Sequence, residues 1–374
     1  MKNHAPRHVE EILGRQCPGL LVSTEAADRE KYGLECSRFR EPAPAAVVFP
    51  TSAEQVQALV RSAAGVGIPL VPSGGRTGLS GGAVAADGEV VVSFDRMRRI
   101  VGFNAIDRTV TVEPGVITAA VQELAAKNGL YYPVSFASEG SSQIGGNVAT
   151  NAGGIRVLKY GLTRDRVAGL KVVTGRGDLL DCNRGLVKNA SGYDLRHLFI
   201  ASEGTLGLIV EATLKLVDPP LPSRVMLLGL KDTPALMKVF DTLRTGLELT
   251  AFEFFTDRAL GHVRRANSLP APFPSDCPLY VIVEFECAND REEDKAMACF
   301  QTGSGQGWIV DGVLSQSVRQ AAELWRYREG ISESISHFPP YKNDLSVVIS
   351  MVPEFLDRMD ALMAESCPGY EVVW

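Results

Sequence analysis

Short apolar runs alternate with amphipathic stretches along the first 220 residues. AAVVFP (45–50) is a continuous valine-rich run, a short strand candidate. In the following TSAEQVQALVRSAAGVG, Val56, Leu59 and Val60 share a helical face, Ser52 can cap the helix and Gln55 holds the capping-box position. IPLVPSGG reads as a strand running into a glycine loop, and EVVVSFDRM and RTVTVEPG as two further strands. ITAAVQELAAKNG reads as a helix stopped by Gly129. VAGLKVVTGRGDLLDC predicts a hairpin turning at Gly175–Gly177, and GTLGLIVEATLKLV the strand that closes the domain. Residues 1–40 read as a short helical lead-in followed by irregular chain.

The prolines of PPLPS (219–223) end that strand and stiffen a link, and the texture changes beyond them. RVMLLGL, a helix from Thr233 to Arg244, LTAFEFF, another helix, PLYVIVEFE and a charged helix from Asn289 make a β–α–β series. WIVDGVLS, a long helix through AAELWRYREGISESI, a strand LSVVIS and a helix PEFLDRMDALMA continue it. This alternation predicts helices covering one face of a sheet. Three parts are expected: a lead-in over 1–40, a domain over 41–220 and a second over 224–374. The final GYEVVW reads as the first half of a strand, so the second domain is expected to be incomplete at its C-terminus.

Composition narrows the function classes. A net charge of -6 argues against a nucleic-acid surface. The seven cysteines are scattered without a CxxC, which disfavours a disulfide framework or an iron–sulfur site. No signal-peptide run and no spanning segment is evident, so a cytoplasmic protein is expected, with peripheral membrane attachment compatible.

Two glycine-dense stretches carry the candidate chemistry: PSGGRTGLSGG (72–82) and SSQIGGNVATNAGG (141–154). Neither is a Walker motif or the GxGxxG dinucleotide fingerprint. Unobstructed backbone N–H groups can cradle an anion, and glycine lets the chain approach a phosphate closely. Ser73, Thr77, Ser80, Ser141, Ser142 and Thr150 add hydroxyl donors, and Arg76 offers a charge-assisted bond. Tight turns packing backbone on backbone would explain the same glycines, and composition alone points to phosphate without naming a cofactor.

The order of the motifs says more. SRFREPAPAAVVFPTSAEQV (37–56), PSGGRTGLSGG, VEPGV (112–116), SSQIGGNVATNAGGIRVLKYGLTRDRVAGLKVV (141–173) and VKNASGYDLRHLFIASEGTLGLI (187–209) resemble the FAD-linked oxidoreductases of the vanillyl-alcohol oxidase superfamily. The nearest look-alikes are the D-2-hydroxyglutarate, D-lactate and glycolate dehydrogenases. The resemblance implies an α+β chain: a PCMH-type FAD-binding domain of two α+β subdomains, then a ferredoxin-like α+β substrate cap. By that resemblance Pro72, Ser73, Gly74, Gly75, Arg76, Thr77, Gly78 and Gly81 wrap the pyrophosphate. Pro133, Ser138, Ser141, Gly145, Gly146, Asn147, Thr150, Asn151 and Gly153 approach the pyrophosphate and flavin. Glu203, Gly204, Gly207 and Ile209 hold the adenine and ribose side, with Pro50 and Thr51 at a corner beside it. The first loop has no histidine, so the FAD is expected to be non-covalent.

WRYREGISESISHFPPYKNDLSVVIS (325–350) resembles the substrate segment of the D-2-hydroxyglutarate dehydrogenases. It implies that Arg328, Ser332 and Lys342 bind the substrate, with Arg326, Glu329 and Tyr341 as weaker candidates. The i,i+4 spacing of Arg328 and Ser332 puts both on one helical face. The implied reaction oxidises a D-2-hydroxy acid to the 2-oxo acid, handing electrons to a quinone, a cytochrome or an electron-transfer flavoprotein. Similar proteins take the base, and in several members a divalent metal, from an HxGDGNxH segment that this sequence lacks. His337 does not replace it, and no catalytic base or metal ligand is assigned. A degenerate FAD-binding subunit without turnover, an enzyme of the same superfamily acting on a sugar acid or lactone, and a phosphate-binding module without flavin are the competing readings. A homodimer or subunit partner is compatible with all of them.

Overall fold

The computed structural model describes residues 6–37, 40–338 and 340–374. Residues 1–5, 38–39 and 339, which fall in the lead-in, the 37–56 motif and the 325–350 segment, lie outside the described residues. The chain divides into two compact units, Met1–Arg156 with Tyr160–Pro219, and Val157–Lys159 with Pro220–Trp374.

The first unit begins with α1 (Pro6–Gln16), β1 (Leu21–Ser23) and α2 (Ala26–Gly33). The segment expected to be irregular after its first helix therefore holds a strand and a second helix, and β1 pairs antiparallel with the next strand. That strand is β2 (Ala46–Phe49), followed by α3 (Ala53–Val66), β3 (Leu70–Ser73) and β4 (Val90–Ser93). They form a sheet of order β1-β2-β4-β3 in which β2, β4 and β3 run parallel. The valine runs of β2 and β4 are buried throughout, as strands covered on both faces must be. Ser52 caps α3 by accepting the Gln55 N–H at 3.3 Å, while Gln55 Oε1 accepts from Thr51 N at 2.8 Å.

The second sheet uses β5 (Ile100–Asn104) and β6 (Thr109–Val112), with α4 (Thr118–Lys127) and α5 (Ile144–Ala149) beside it; one-turn α6 (Val157–Tyr160) falls mostly in the second unit, and one-turn α7 (Thr163–Arg166) is back in the first. β7 (Val167–Thr174), β8 (Leu179–Arg184), one-turn α8 (Arg196–Phe199) and β9 (Gly207–Lys215) complete it, in the antiparallel order β5-β6-β9-β7-β8. The β7–β8 hairpin turns where the glycines at 175 and 177 predict. In β9, Leu208 and Val210 pack into the core under α1 and α3, while Ile209, Ala212 and Leu214 enter the core under α4 and α5. A bulge opposite Lys171 and Val172 makes this switch of faces, because one extra residue reverses the alternation beyond it.

The second unit holds β10 (Ser223–Leu230), α9 (Thr233–Gly246), β11 (Leu249–Thr256), α10 (Asp257–Asn267), β12 (Leu279–Glu286), α11 (Asp290–Gly305) and β13 (Ile309–Leu314). Its antiparallel sheet has the order β11-β12-β10-β13, the ferredoxin-like arrangement with α10 inserted. Then come α12 (Val318–Glu329), α13 (Ile331–Ser334) and α14 (Val352–Ser366).

Three expectations fail here. The long helix through 335 breaks at Gly330 into α12 and α13. LSVVIS forms no strand: its residues are exposed and pair with no strand among the described residues. Tyr370–Trp374 is likewise no strand, although Trp374 O accepts the Thr256 N–H at 3.2 Å. No helix among the described residues is long and apolar enough to cross a membrane.

Candidate functional site

The first glycine loop leaves the carboxyl end of β3, and the second leads into α5. Beyond the carboxyl ends of parallel strands is where open sheets place ligands. The two loops meet backbone to backbone: a Cβ on Gly75 would lie 2.3 Å from Ser141 O and 2.8 Å from Ser142 Cα. A Cβ on Gly145 would lie 2.5 Å from Pro114 Cβ. These two glycines are accounted for by packing alone. At Gly146 a Cβ would meet nothing within 4 Å, so this part of the second loop faces open space.

Part of the first loop is already occupied by the protein's own acid. Glu35, 6% exposed, accepts the Gly81 N–H through Oε1 and the Ala83 N–H at 3.4 Å through Oε2. Gly78 packs against the same carboxylate, which a Cβ would approach to 2.7 Å. Glu35 thus takes the Gly81 and Ala83 N–H groups of this turn itself. Gly81 is left-handed, at φ +85.

Arg76, expected as a free cationic donor, is tied back. Its NH1 donates to Gly74 O at 2.9 Å, its NH2 reaches Asp95 Oδ2 at 3.4 Å, and its guanidinium lies 4.7 Å from the Tyr32 ring centroid. Asp95 also accepts from Gln143 Nε2 at 2.6 Å through Oδ1, so one carboxylate holds both loops. Neither Asp95 nor Gln143 stood out in the sequence. The available signal was position, since Asp95 lies two residues past the carboxyl end of β4, the neighbour of β3.

The second loop is fixed from beneath. Asn147 Nδ2 donates to Thr118 Oγ1 at 2.7 Å, and Thr118 and Ser142 hydroxyls lie 2.8 Å apart. Ser138 O accepts the N–H groups of Ser141 and Ser142, and buried Pro133 stands before this turn. Thr150 donates to Gly146 O at 2.9 Å, and Asn151, left-handed at φ 51, accepts the Arg164 N–H. Gly153 is exposed. The third segment joins α5 through Glu203 N–H to Ala149 O at 2.9 Å. Gly204 sits against Pro72, where a Cβ would fall 2.4 Å from Pro72 Cγ. Gly207 allows β9 to approach Val173 O, and the Ile209 side chain belongs to the core. Pro50 and Thr51 stand at the corner between β2 and α3. The three segments expected to hold the cofactor thus converge on α5 and the end of β3.

Two buried polar atoms within this convergence have no partner among the described residues: Ser73 Oγ and Gln143 Oε1. Such atoms are costly to leave unpaired, and a polar ligand would supply what they lack. A third, the Tyr132 hydroxyl, lies next to Pro133; burial pushes its phenol up, so it stays a neutral donor.

Within the second unit, Arg328 donates through Nε and NH2 to Glu253 Oε2 on β11, at 2.9 and 2.8 Å. Ser332 and Lys342 are exposed, and no hydrogen bond or ion pair among the described residues joins them to Arg328. The break at Gly330 separates Arg328 from Ser332, so the expected common helical face is not continuous. Arg326, Glu329 and Tyr341 lie nearby in the chain, with Tyr341 exposed. His262, which the sequence reading passed over, has Nε2 3.0 Å from Glu371 Oε2 and Nδ1 3.4 Å from Arg265. Among the described residues no group of three or more His, Cys, Asp or Glu side chains converges as a metal site would.

Residues 44–183 match the family described as FAD binding domain, and residues 220–374 match FAD linked oxidases, C-terminal domain. The chain is 53% identical over 369 residues to the D-2-hydroxyglutarate dehydrogenase of Stutzerimonas stutzeri (strain A1501), covering 99% of this chain and 79% of that one. It is 56% identical over 362 residues to the D-2-hydroxyglutarate dehydrogenase of Xanthomonas citri pv. viticola, covering 97% and 76%. Identity to the mitochondrial D-2-hydroxyglutarate dehydrogenase of Bos taurus is 32%, over 95% of this chain and 65% of that one. A solved alkyldihydroxyacetonephosphate synthase superposes with a TM-score of 0.71 at 18% identity, covering 97% of this chain and 76% of the synthase, a likeness of fold.

Proposed function

Since the chain belongs to the FAD-linked oxidases of the PCMH-type superfamily, we propose that it oxidises a D-2-hydroxy acid, D-2-hydroxyglutarate first among them, to the 2-oxo acid. The observation that carries this reading is the 53–56% identity to two bacterial D-2-hydroxyglutarate dehydrogenases, running through both units. The cradle fits a non-covalent FAD on its own terms. A buried hydroxyl at Ser73 and a buried carbonyl at Gln143 await partners, Gly146 opens onto free space, and the first loop holds no histidine for a covalent link.

On this reading Ser73 donates to a phosphate oxygen, and the backbone of Pro72 to Thr77 and of α5 line the cofactor. When bound, the isoalloxazine supplies the hydride acceptor for the substrate's 2-carbon. Arg328 addresses a substrate carboxylate. Two of its five N–H groups go to Glu253, and three stay available in the planar fork. Glu253 keeps the guanidinium oriented without using it up. Ser332 and Lys342, exposed beyond the Gly330 break, add donors for a second carboxylate. His262, with both ring nitrogens engaged, is not the proton acceptor. An acceptor of the quinone, cytochrome or electron-transfer flavoprotein class takes the electrons, and the setting proposed is the cytoplasm or its membrane surface.

The test is anaerobic mixing of purified, FAD-loaded protein with D-2-hydroxyglutarate, D-lactate or glycolate. Bleaching of the visible flavin band, fastest with D-2-hydroxyglutarate, is the expected result. A yellow protein that none of the three bleaches favours the degenerate FAD-binding subunit, and a colourless protein that gains no FAD defeats both.

A further inference from the structure

We infer that Asp95 is a positioning residue that fixes the side-chain amide of Gln143, so that its oxygen accepts from a donor on the riboflavin half of FAD. This rests on the FAD reading above. The Asp95 carboxylate lies 2.6 Å from Gln143 Nε2. An ionised carboxylate only accepts, so the amide must turn its NH2 to Asp95 and its oxygen the other way. That oxygen is buried and unpartnered on a side chain 7% exposed, and it stands at the first loop, 3.7 Å from where a Cβ on Gly74 would be.

The oxygen's chemistry restricts what it can face. Phosphate oxygens are acceptors and carry like-signed charge, so a carbonyl fixed in this orientation disfavours the diphosphate. FAD carries donors on its ribityl hydroxyls and on the ring N–H. The Glu203–Gly204 segment, which the resemblance gives to the adenosine side, touches the first loop at Pro72 and at Gly82, whereas the Gln143 side chain lies against Gly74. The second loop therefore reads the polyol and ring, and the phosphates fall to the first loop with Ser73. The other Asp95 oxygen holds Arg76, so the same group keeps the first loop in register with the amide.

Equilibrium dialysis of the apoprotein against FAD and, separately, against ADP tests this. Gln143→Met raises the Kd for FAD about tenfold, the cost of losing one buried hydrogen bond, and leaves the Kd for ADP unchanged. Asp95→Asn frees the amide to reverse and weakens FAD in the same way. In the double variant D95N/Q143E the asparagine NH2 donates to one glutamate oxygen and leaves the other as acceptor, so FAD affinity and the shape of the visible flavin band return. This double variant preserves the tie between the loops and serves if a single variant does not fold. FAD affinity that is unchanged in Gln143→Met, or FAD and ADP affinities that fall together, overturns the inference while a yellow wild-type protein keeps the FAD reading intact. Wild-type protein that takes up no FAD defeats both.

Discussion

The Glu35 carboxylate and the Gly81 backbone N–H are hydrogen-bonded across 46 residues of sequence, and this contact closes the far turn of the first glycine loop. An internal anion takes the nest that a phosphate would otherwise seek. Glu35→Ala leaves the N–H groups of Gly81 and Ala83 without their acceptor and lowers the stability of the apoprotein by about 1–3 kcal/mol. Urea denaturation measures it, and unchanged stability would show that the carboxylate is dispensable.

Gly75 and Gly146 separate packing from binding. A methyl group on Gly75 drives into the Ser141 carbonyl and the Ser142 backbone, so Gly75→Ala destabilises the apoprotein by about 1–3 kcal/mol, as overpacking does. A methyl group on Gly146 meets nothing, and Gly146→Ala gains about 0.5–1 kcal/mol of helix stability. On the proposed reading it nevertheless weakens FAD, which would occupy the space the methyl enters. Melting curves with and without FAD distinguish the two. A Gly146→Ala protein binding FAD as wild type does would place the cofactor elsewhere.

The strands were legible in the sequence because their signal is local: valine runs in β2 and β4, the apolar LYVIVEFE of β12, and glycines at the β7–β8 turn. The glycine loops were legible as places that exclude side chains. Which glycines yield to packing and which to a ligand was not, since Gly75 and Gly146 differ only in what the fold brings against them. Asp95 with Gln143, and Glu35 with Gly81, are pairs separated by more than forty residues, and no periodicity announces them. LSVVIS misled because apolar β-branched residues favour a strand only when a neighbour pairs with it. In the 325–335 helix, Gly330 was the available warning.

Arg328→Lys keeps the charge but loses the fork that serves Glu253 and a carboxylate together. The KM for D-2-hydroxyglutarate rises about tenfold while FAD content and the visible spectrum stay as in wild type. Stopped-flow bleaching of the flavin band at varied substrate concentration reads this directly. A KM equal to wild type would remove Arg328 from the substrate site.

Acid sensitivity has a named source in the third segment. Hydrogen bonds from Arg196, at 2.9 and 2.5 Å, hold the Asp194 carboxyl down at about 2, and Arg196 in turn donates to Val167 O and Ala168 O on β7. Because the folded value lies below the unfolded value of about 3.9, the stability it contributes is full above about pH 4 and is lost as pH falls toward 2. Asp194→Asn is therefore less stable than wild type at neutral pH and converges with it near pH 2. Denaturant midpoints across that range check it, and a constant difference at every pH would assign the effect elsewhere.

β9 is a wall of both cores in the first unit, and its bulge sets which of its residues face which. The first loop grows from one of those cores and the second from the other, so loosening either set of β9 contacts slackens the two jaws of the cradle at once. Amide protons beside both loops should then exchange with solvent as a single cooperative block.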